Sequence, residues 1–180
     1  MNAARDLFLA HGVAATTIEQ ITAAAQVAKG TFYLYFASKE AVLAALTERF
    51  AQQLRQHIEQ AVDAVDAANW RGKLAAWAAA GIEGYLDAKA LHDILFHGTR
   101  VPTREGMVDN IIIDHLCALL EQGMAAKAWS LDEARFSAVF LFSALHGIVD
   151  DAVLREKRAH RPRLTQRLQR LCLRVVAGAG

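Results

Sequence analysis

The sequence predicts an all-α protein, and three observations support this fold class. Hydrophobic residues make up 54% of the 180 residues, and the strong helix formers Ala and Leu fill long stretches of the chain. Only 2 prolines interrupt these stretches. Apolar residues also recur at spacings of three and four, the period of a helix with one buried face. A chain of this length can bury a sizeable core, as one domain or as two small ones.

The first helix is predicted over residues 3–11, with Leu7 and Phe8 as its apolar anchors. Gly12 follows it and suits the left-handed conformation that ends many helices, because glycine has no Cβ to clash there. In a three-helix head this helix is expected to pack across the next two.

The stretch Thr16–Glu40 predicts two short helices joined by a tight turn, and then the start of a third helix. Thr17 with Gln20 forms a capping-box pattern, in which side chains and backbone groups three residues apart bond reciprocally. Thr16 with Glu19 is the same pattern shifted by one residue. The sequence leaves both registers open.

The second short helix is predicted over Ala28–Tyr35, after a turn at Gln26-Val27. Its open side is predicted to present Lys29, Thr31 and Tyr33, and its buried side Val27, Phe32 and Phe36. A purely structural hairpin explains the aromatic residues well, but it does not explain the Lys-Gly-Thr sequence at the start of the helix. Ser38 is expected to cap the following helix.

In this stretch the sequence resembles the DNA-binding domain of the TetR family of transcriptional regulators. The resemblance covers about residues 3–46 and rests on Ile21-Thr22, Ala25-Gln26-Val27, Gly30–Phe36 and Ser38-Lys39-Glu40. Its most specific part is the run Lys29–Glu40. The resemblance implies a helix-turn-helix whose second helix enters the major groove of double-stranded DNA.

The resemblance and the chemistry of the side chains together give candidate DNA contacts. Lys29 and Thr31 can bond to bases or phosphates, Gly30 lets the backbone approach DNA, and Leu34 could contact a thymine methyl group. The full predicted set is Thr16, Thr17, Lys29, Gly30, Thr31, Tyr33, Leu34, Tyr35 and Lys39.

Three features depart from the family pattern. Gln26 stands where the family prefers glycine, which costs about 1 kcal/mol if the turn requires a positive φ. Ala28 replaces a frequent serine and so removes a helix cap worth about 1 kcal/mol. Almost nothing precedes the first helix, so either the protein does without the basic arm of many family members or the sequence begins late. We expect weak non-specific DNA affinity from these departures.

From Ser38 onwards the periodicity predicts a C-terminal helical bundle. Its first helix runs to about Ala67, with a buried stripe of Leu43, Leu46, Phe50, Leu54, Ile58 and Val62. Further helices are predicted over about 69–90, 91–97, 104–129, 130–157 and 162–177, with a loop at 98–103. Asn69 and Ser130 are the expected N-caps, Ser130 in a capping box with Glu133.

The resemblance implies a mostly apolar pocket for an unknown small-molecule effector among these helices. Tyr85 or His146 would be its polar group. The candidates on inward faces are Trp77, Tyr85, Phe96, Met107, Ile111, Phe140 and His146. For each residue taken alone, packing in the core is the simpler interpretation.

The helix predicted over 130–157 is apolar around most of its circumference, which indicates burial on all sides. Few helices of a 180-residue monomer are buried in that way, so we expect a homodimer in which this helix and the last one pair across a two-fold axis. The predicted interface is Phe136, Phe140, Leu141, Ile148, Leu164, Leu168, Leu171 and Val175.

The charge distribution does not by itself indicate a nucleic-acid binder. The net charge is +1, and residues 1–50 hold four Lys/Arg and four Asp/Glu. Residues 155–180 hold eight Lys/Arg and one acidic residue, but their arginine face is interpreted as a solvated rim without groove-reading geometry. Cys117 and Cys172 are predicted to be reduced thiols of a cytoplasmic protein. Neither a signal peptide nor a full apolar span is recognised, so no membrane partner is expected.

A helical-bundle metal protein or enzyme is the alternative from a different class. Its candidate ligands are His92, Asp93, His97, His115, His146, Asp150 and Asp151. They lack the Glu-x-x-His or His-Glu-x-x-His spacing of known metal sites, so we predict no metal, no cofactor and no enzymatic activity.

The sequence therefore predicts a helix-turn-helix domain over 1–46 and a ligand-binding and dimerisation domain over 47–180. The expected function is a repressor that binds a palindromic operator as a homodimer and is released by its effector. A ligand-independent regulator is the second interpretation. Neither the operator nor the effector can be derived from the sequence.

Overall fold

The computed structural model describes residues 1–97, 110–155 and 160–177, and every regular element in these ranges is helical. The elements are α1 (Asn2–His11), α2 (Ile18–Ala24), α3 (Lys29–Tyr35), α4 (Lys39–Asp63), α5 (Trp70–Asp87), α6 (Lys89–His92), a π-helical turn (Asp93–His97), α7 (Ile111–Ala125), α8 (Ala134–Arg155) and α9 (Arg161–Ala177). The predicted fold class is confirmed.

The chain forms two compact units. The first comprises Met1–Gln52 and Ala88–Pro102, and the second comprises Gln53–Asp87 and Thr103–Gly180. α4 begins in the first unit and ends in the second as one uninterrupted helix. The first unit also includes α6, which the sequence placed in the C-terminal domain.

The first unit has a small core to which all four N-terminal helices contribute. The stripe predicted for α4 supplies Leu43, Leu46 and Phe50, and the other helices add their own apolar side chains. Those from α1, α2 and α3 are Ala4, Phe8, Ile21 and Phe32. Val27, expected on the buried side, is instead exposed, because it lies in the turn before α3.

The α2 capping register, left open by the sequence, is the one at Thr17. The Thr17 hydroxyl accepts from the Gln20 backbone N–H at 3.2 Å, and the Gln20 side-chain oxygen accepts from the Thr17 N–H at 2.8 Å. Thr16 is only 1% exposed, and its hydroxyl donates to the Gly12 carbonyl at 2.8 Å. Thr16 therefore joins the end of α1 to the start of α2 and caps neither.

The second unit is built around a larger core that all of its long helices share. α4 contributes Ile58 and Val62, and α5 contributes the fully buried Trp77 and Ile82. The Asn69 cap is confirmed, since its side-chain oxygen accepts from the Gly72 N–H at 2.8 Å.

The start of α8 differs from the prediction. α8 begins at Ala134 instead of Ser130, and α7 ends at Ala125 instead of Trp129. Trp129 and Leu131 are both buried, and the Trp129 indole N–H donates to the Leu120 carbonyl at 3.0 Å. These contacts hold the connection in a non-helical path, so the capping box expected at Ser130 does not form. The predicted segments 98–109 and 156–157 lie outside the described residues.

α8 is long and apolar enough to cross a membrane by length and composition alone, with a mean hydropathy of 1.5. The core helix of a soluble protein passes the same test. One face of α8 packs into the core of the second unit through Ala138, Leu141, Leu145 and Val149.

Candidate nucleic-acid interface

α3 has one buried anchor and an otherwise open surface. Phe32 packs into the core of the first unit, with its ring 5.8 Å from that of Phe36. Leu34 is 81% exposed and Tyr35 is 76% exposed, and about half of Tyr33 is exposed as well. Exposed apolar and aromatic side chains grouped on one short helix indicate a surface that contacts a partner.

Gly30 is not required by the fold of the first unit. Among the described residues, no heavy atom lies within 4 Å of a Cβ built at this position, and its φ is not in the left-handed region. Neither packing nor backbone conformation therefore explains the glycine. A side chain here would project from the start of α3, next to the exposed Lys29 and Leu34.

The three threonines of the predicted set differ in their availability to DNA. The Thr17 hydroxyl is exposed but serves as the α2 cap. Thr31 is half-buried on α3. The correction concerns Thr16, whose buried hydroxyl bonds to the protein's own backbone and is not available to DNA.

Lys39 also has a structural role that the sequence did not suggest. Its ammonium donates to the carbonyl oxygens of Val13, Ala14 and Thr16 at 2.7, 3.2 and 3.0 Å. An ammonium has three N–H donors, and these bonds occupy all of them. Lys39 thus ties the α1–α2 connection to the first turn of α4, and its predicted DNA contact is corrected accordingly.

Lys29 forms an ion pair with Glu19, which lies in the first turn of α2. The hydrogen bond from Lys29 lowers the pKa of the Glu19 carboxyl, and the same bond raises the pKa of the Lys29 ammonium. The sequence did not indicate Glu19 as a site residue, because no helical period relates positions ten residues apart across a turn. Only the crossing of α2 and α3 brings the two side chains together.

The first unit presents balanced charge on its surface. Besides the Lys29 pair, Arg5 contacts Asp6 at 2.8 Å, and Arg49 donates to the Asn2 side-chain oxygen at 3.1 Å. Together with Lys39, every Lys or Arg of residues 1–50 therefore has a partner within the protein. Binding to a polyanion at this surface would depend on the geometry of α3 more than on net charge.

In the second unit, the structure brings together two of the predicted effector contacts, Tyr85 and His146, and buries a third, Trp77. Trp77 and Tyr85 are buried on α5, and the Tyr85 ring meets the His146 ring edge-on at 5.7 Å. The Tyr85 hydroxyl donates to Asp150 on α8. Among the described residues, the buried Trp77 indole N–H has no hydrogen-bond acceptor.

The remaining predicted effector contacts do not join this group. Phe140 is 53% exposed, since it lies on the side of α8 turned away from the core, so its assignment to an interior pocket is corrected. Ile111 is half-buried at the start of α7. The side chains of Phe96 and Met107 lie outside the described residues.

An open cleft of about 440 Å³ lies between α5 and α9 in the second unit. The Arg161 guanidinium pairs there with Asp87, and its lining also includes Glu83 and Gln166. Polar and apolar groups line the cleft about equally, and none of the predicted effector contacts is among them.

The alternative interpretation requires a metal site formed by His and Asp side chains. The described ranges contain no group of three or more His, Cys, Asp or Glu side chains positioned to hold a metal ion. Asp150 accepts from Tyr85, and the side chain of His97 lies outside the described residues.

Residues 1–46 match the family model described as bacterial regulatory proteins of the tetR family. This match identifies the helix-turn-helix of the first unit, in which α2 and α3 are the two helices, as a DNA-binding domain of the tetR-family type. No curated protein sequence matches this chain.

Solved structures of the same fold align with nearly the whole chain. The fatty acid degradation regulator FadR from Bacillus halodurans is 23% identical, with a TM-score of 0.77 and coverage of 96% of this chain and 95% of that one. FadR from Bacillus subtilis, in complex with stearoyl-CoA, is 19% identical, with a TM-score of 0.76 and the same coverage of 96% and 95%. The SmeT–triclosan complex is 21% identical, with a TM-score of 0.73 and coverage of 97% and 88%.

Proposed function

We propose that this protein is a TetR-type homodimeric repressor. It would bind a palindromic operator through α3 and leave it when an apolar effector binds the second unit. The exposed surface of α3 is the main support. Leu34 and Tyr35 are nearly as open as in an extended chain, on a helix anchored by a single buried phenylalanine. A major groove accepts one helix of this kind and would cover those side chains.

The proposed DNA contacts are Lys29, Gly30, Thr31, Tyr33, Leu34 and Tyr35, together with the exposed backbone and hydroxyl of Thr17. Tyr33 and Tyr35 offer hydroxyls to phosphate oxygens, and Leu34 offers methyl groups to a thymine methyl. Lys39 and Thr16 support this surface from behind by fixing the connection between α1 and α2.

The homodimer is supported by apolar side chains that the second unit leaves open. Phe136 is 71% exposed, and Phe140, one turn further along α8, lies on the same side of that helix. Leu171 on the neighbouring α9 is also exposed. Exposure of two phenylalanine rings, one turn apart, to solvent is unfavourable in a monomer. A symmetric contact between two copies would cover them.

The proposed interface is smaller than the sequence suggested. Leu141, Leu164 and Leu168 are buried within the core of the second unit and are removed from it. Ile148 and Val175 are half-buried and lie at its edge. In the dimer, two copies of α3 would reach successive major grooves about 34 Å apart, so the operator would be an inverted repeat.

Effector release is supported by the buried Trp77 and by the contact between Tyr85 and His146. A buried indole N–H without an acceptor is unfavourable, and an effector with a carbonyl or hydroxyl group could accept its hydrogen bond. Two structures of the same fold hold molecules with a large apolar part, stearoyl-CoA with its long acyl chain in one and triclosan in the other. We therefore expect a largely apolar effector with a polar acceptor group.

Coupling between the two events would run along α4, which belongs to both units. An effector that favours one orientation of this helix by about 1–3 kcal/mol would lower operator affinity 5- to 150-fold. The protein would act in the cytoplasm as a regulator and not as an enzyme.

The test is release of a fluorescent operator duplex, followed by anisotropy while long-chain acyl-CoA or triclosan is added. We expect release by at least one apolar compound, and Trp77→Phe should change the concentration required while leaving operator affinity intact. Full retention of DNA across a broad apolar library would reject effector release and favour a ligand-independent regulator.

A further inference from the structure

The Glu19–Lys29 ion pair lies on the open surface of the helix-turn-helix, with one member on each of its two helices. Both side chains are more than half exposed. Lys29 is the first residue of α3, and Glu19 lies in the first turn of α2. The pair is therefore at the end of α3 from which side chains of a recognition helix reach base edges.

Stability gives no sufficient reason for this pair. Ion pairs in water contribute little, because both partners are well solvated when apart. A carboxylate at a surface that approaches phosphates is also unfavourable unless a cation neutralises it. Lys29 provides that cation, and the hydrogen bond between the two side chains lowers the pKa of the Glu19 carboxyl and raises the pKa of the Lys29 ammonium.

We propose that Glu19 and Lys29 together read one C·G base pair in each half of the operator, with Glu19 accepting from the cytosine amino group and Lys29 donating to the guanine. This inference rests on the proposed binding of α3 in the major groove. It makes Glu19 a specificity-determining residue.

The chemistry of the two partners is complementary. In the major groove, cytosine presents its N4 amino donor beside the O6 and N7 acceptors of the paired guanine. The ion pair presents a carboxylate acceptor beside an ammonium donor. After bonding to each other, the carboxylate retains free lone pairs and the ammonium retains two N–H donors. No side chain at Gly30 stands between the pair and the groove floor.

The experiment begins with an operator selected by the wild-type protein from random duplex DNA. Each base pair of one half-site is then replaced in turn, and the affinity of wild type and Glu19→Ala is measured for every duplex. We expect one C·G position where replacement weakens wild-type binding roughly 5- to 150-fold and has little effect on Glu19→Ala. Glu48→Ala is the matched control, since it removes an equal charge from α4 in the same unit.

The exchanged variant Glu19→Lys/Lys29→Glu provides a second readout. It should prefer G·C over C·G at that same position, because donor and acceptor change places. Both residues are exposed, so circular dichroism should show an unchanged fold. The proposal is overturned if Glu19→Ala keeps the wild-type preference at every position, or binds all duplexes more tightly, which would mean that Glu19 only repels DNA. Failure of the selection itself would reject the proposed function, and this assignment with it, whereas a selected operator read equally by wild type and Glu19→Ala rejects the assignment alone.

Discussion

Gln26 is the residue at which the backbone of the helix-turn-helix is most strained. Its φ is 55°, in the left-handed region where a Cβ crowds the following carbonyl. The sequence flagged the position, since a family that prefers glycine there implies such a turn. The chain tolerates the strain because Ile21, Phe32 and the α4 stripe bury the helices on either side.

We predict that Gln26→Gly raises the free energy of unfolding by about 1 kcal/mol, since glycine adopts this φ without a steric cost. Urea denaturation measures it. Gln53→Gly is the matched control, an exposed helical position where the same change should destabilise by up to about 1 kcal/mol. A loss of stability at Gln26 would show that the side chain makes contacts that outweigh the strain.

Gly30 gives the second prediction at this scale. Gly30→Ala should not destabilise the protein, since alanine favours helix by up to about 1 kcal/mol and meets open space. Operator affinity should nevertheless fall, because the methyl group occupies the proposed contact surface. Gly81→Ala, whose methyl would make only ordinary contacts at 3.7 and 3.9 Å, is the control for DNA affinity. Unchanged operator affinity in Gly30→Ala would remove Gly30 from the interface.

At the scale of elements, the connection between α1 and α2 depends on α4. The three carbonyl groups of Val13, Ala14 and Thr16 point at one ammonium from a different helix. These bonds fix the position of the start of α2 relative to α4, and so also the position of the turn that leads to α3. Lys39, which the sequence predicted to contact DNA, therefore stabilises the fold of the first unit instead.

Lys39→Met is predicted to destabilise the protein by about 1–3 kcal/mol, because it leaves the partly buried carbonyls of Val13 and Thr16 without their donor. Lys29→Met, at an exposed pair, should change stability by less than about 1 kcal/mol and still weaken operator binding. Thermal denaturation and operator titration of both variants separate the two roles. Equal stability of the two variants would contradict the scaffold role of Lys39.

The sequence predicted most of the helices. It did not predict the features that depend on contacts between residues far apart in the chain. The Thr17 cap, the Asn69 cap and the α4 stripe are local patterns, and the structure bears them out. The start of α8 was wrong, because burial of Trp129 outweighs the capping pattern at Ser130. Glu19 and the role of Lys39 depend on crossings between helices, which no single-helix period reveals.

At the scale of the whole molecule, the proposed assembly depends on the outer side of α8. The sequence predicted burial all around this helix, yet the single chain leaves Phe136 and Phe140 open. In the proposed homodimer, a second copy would cover these two side chains. The periodicity of α8 cannot show which apolar residues pack within one chain and which pack between two chains, because apolar side chains suit both environments.

We predict that Phe136→Ser/Phe140→Ser shifts the protein from dimer to monomer while its helical circular dichroism persists, because both side chains lie outside the core. Sedimentation velocity across a concentration series measures the change. Leu9→Ser, a similar polar substitution at a half-exposed site on α1, should leave the dimer intact. A wild-type protein that sediments as a monomer at all concentrations would contradict the proposed interface.

The most direct test of the central claim is selection of bound sequences from random duplex DNA, with the stoichiometry of the selected complex then measured by sedimentation. The proposed function predicts enrichment of an inverted repeat, with half-sites centred about one helical turn apart or a multiple of it, bound by an even number of chains. Enrichment of no sequence, or of a single unrepeated site bound by one chain, would contradict a dimeric operator-binding regulator.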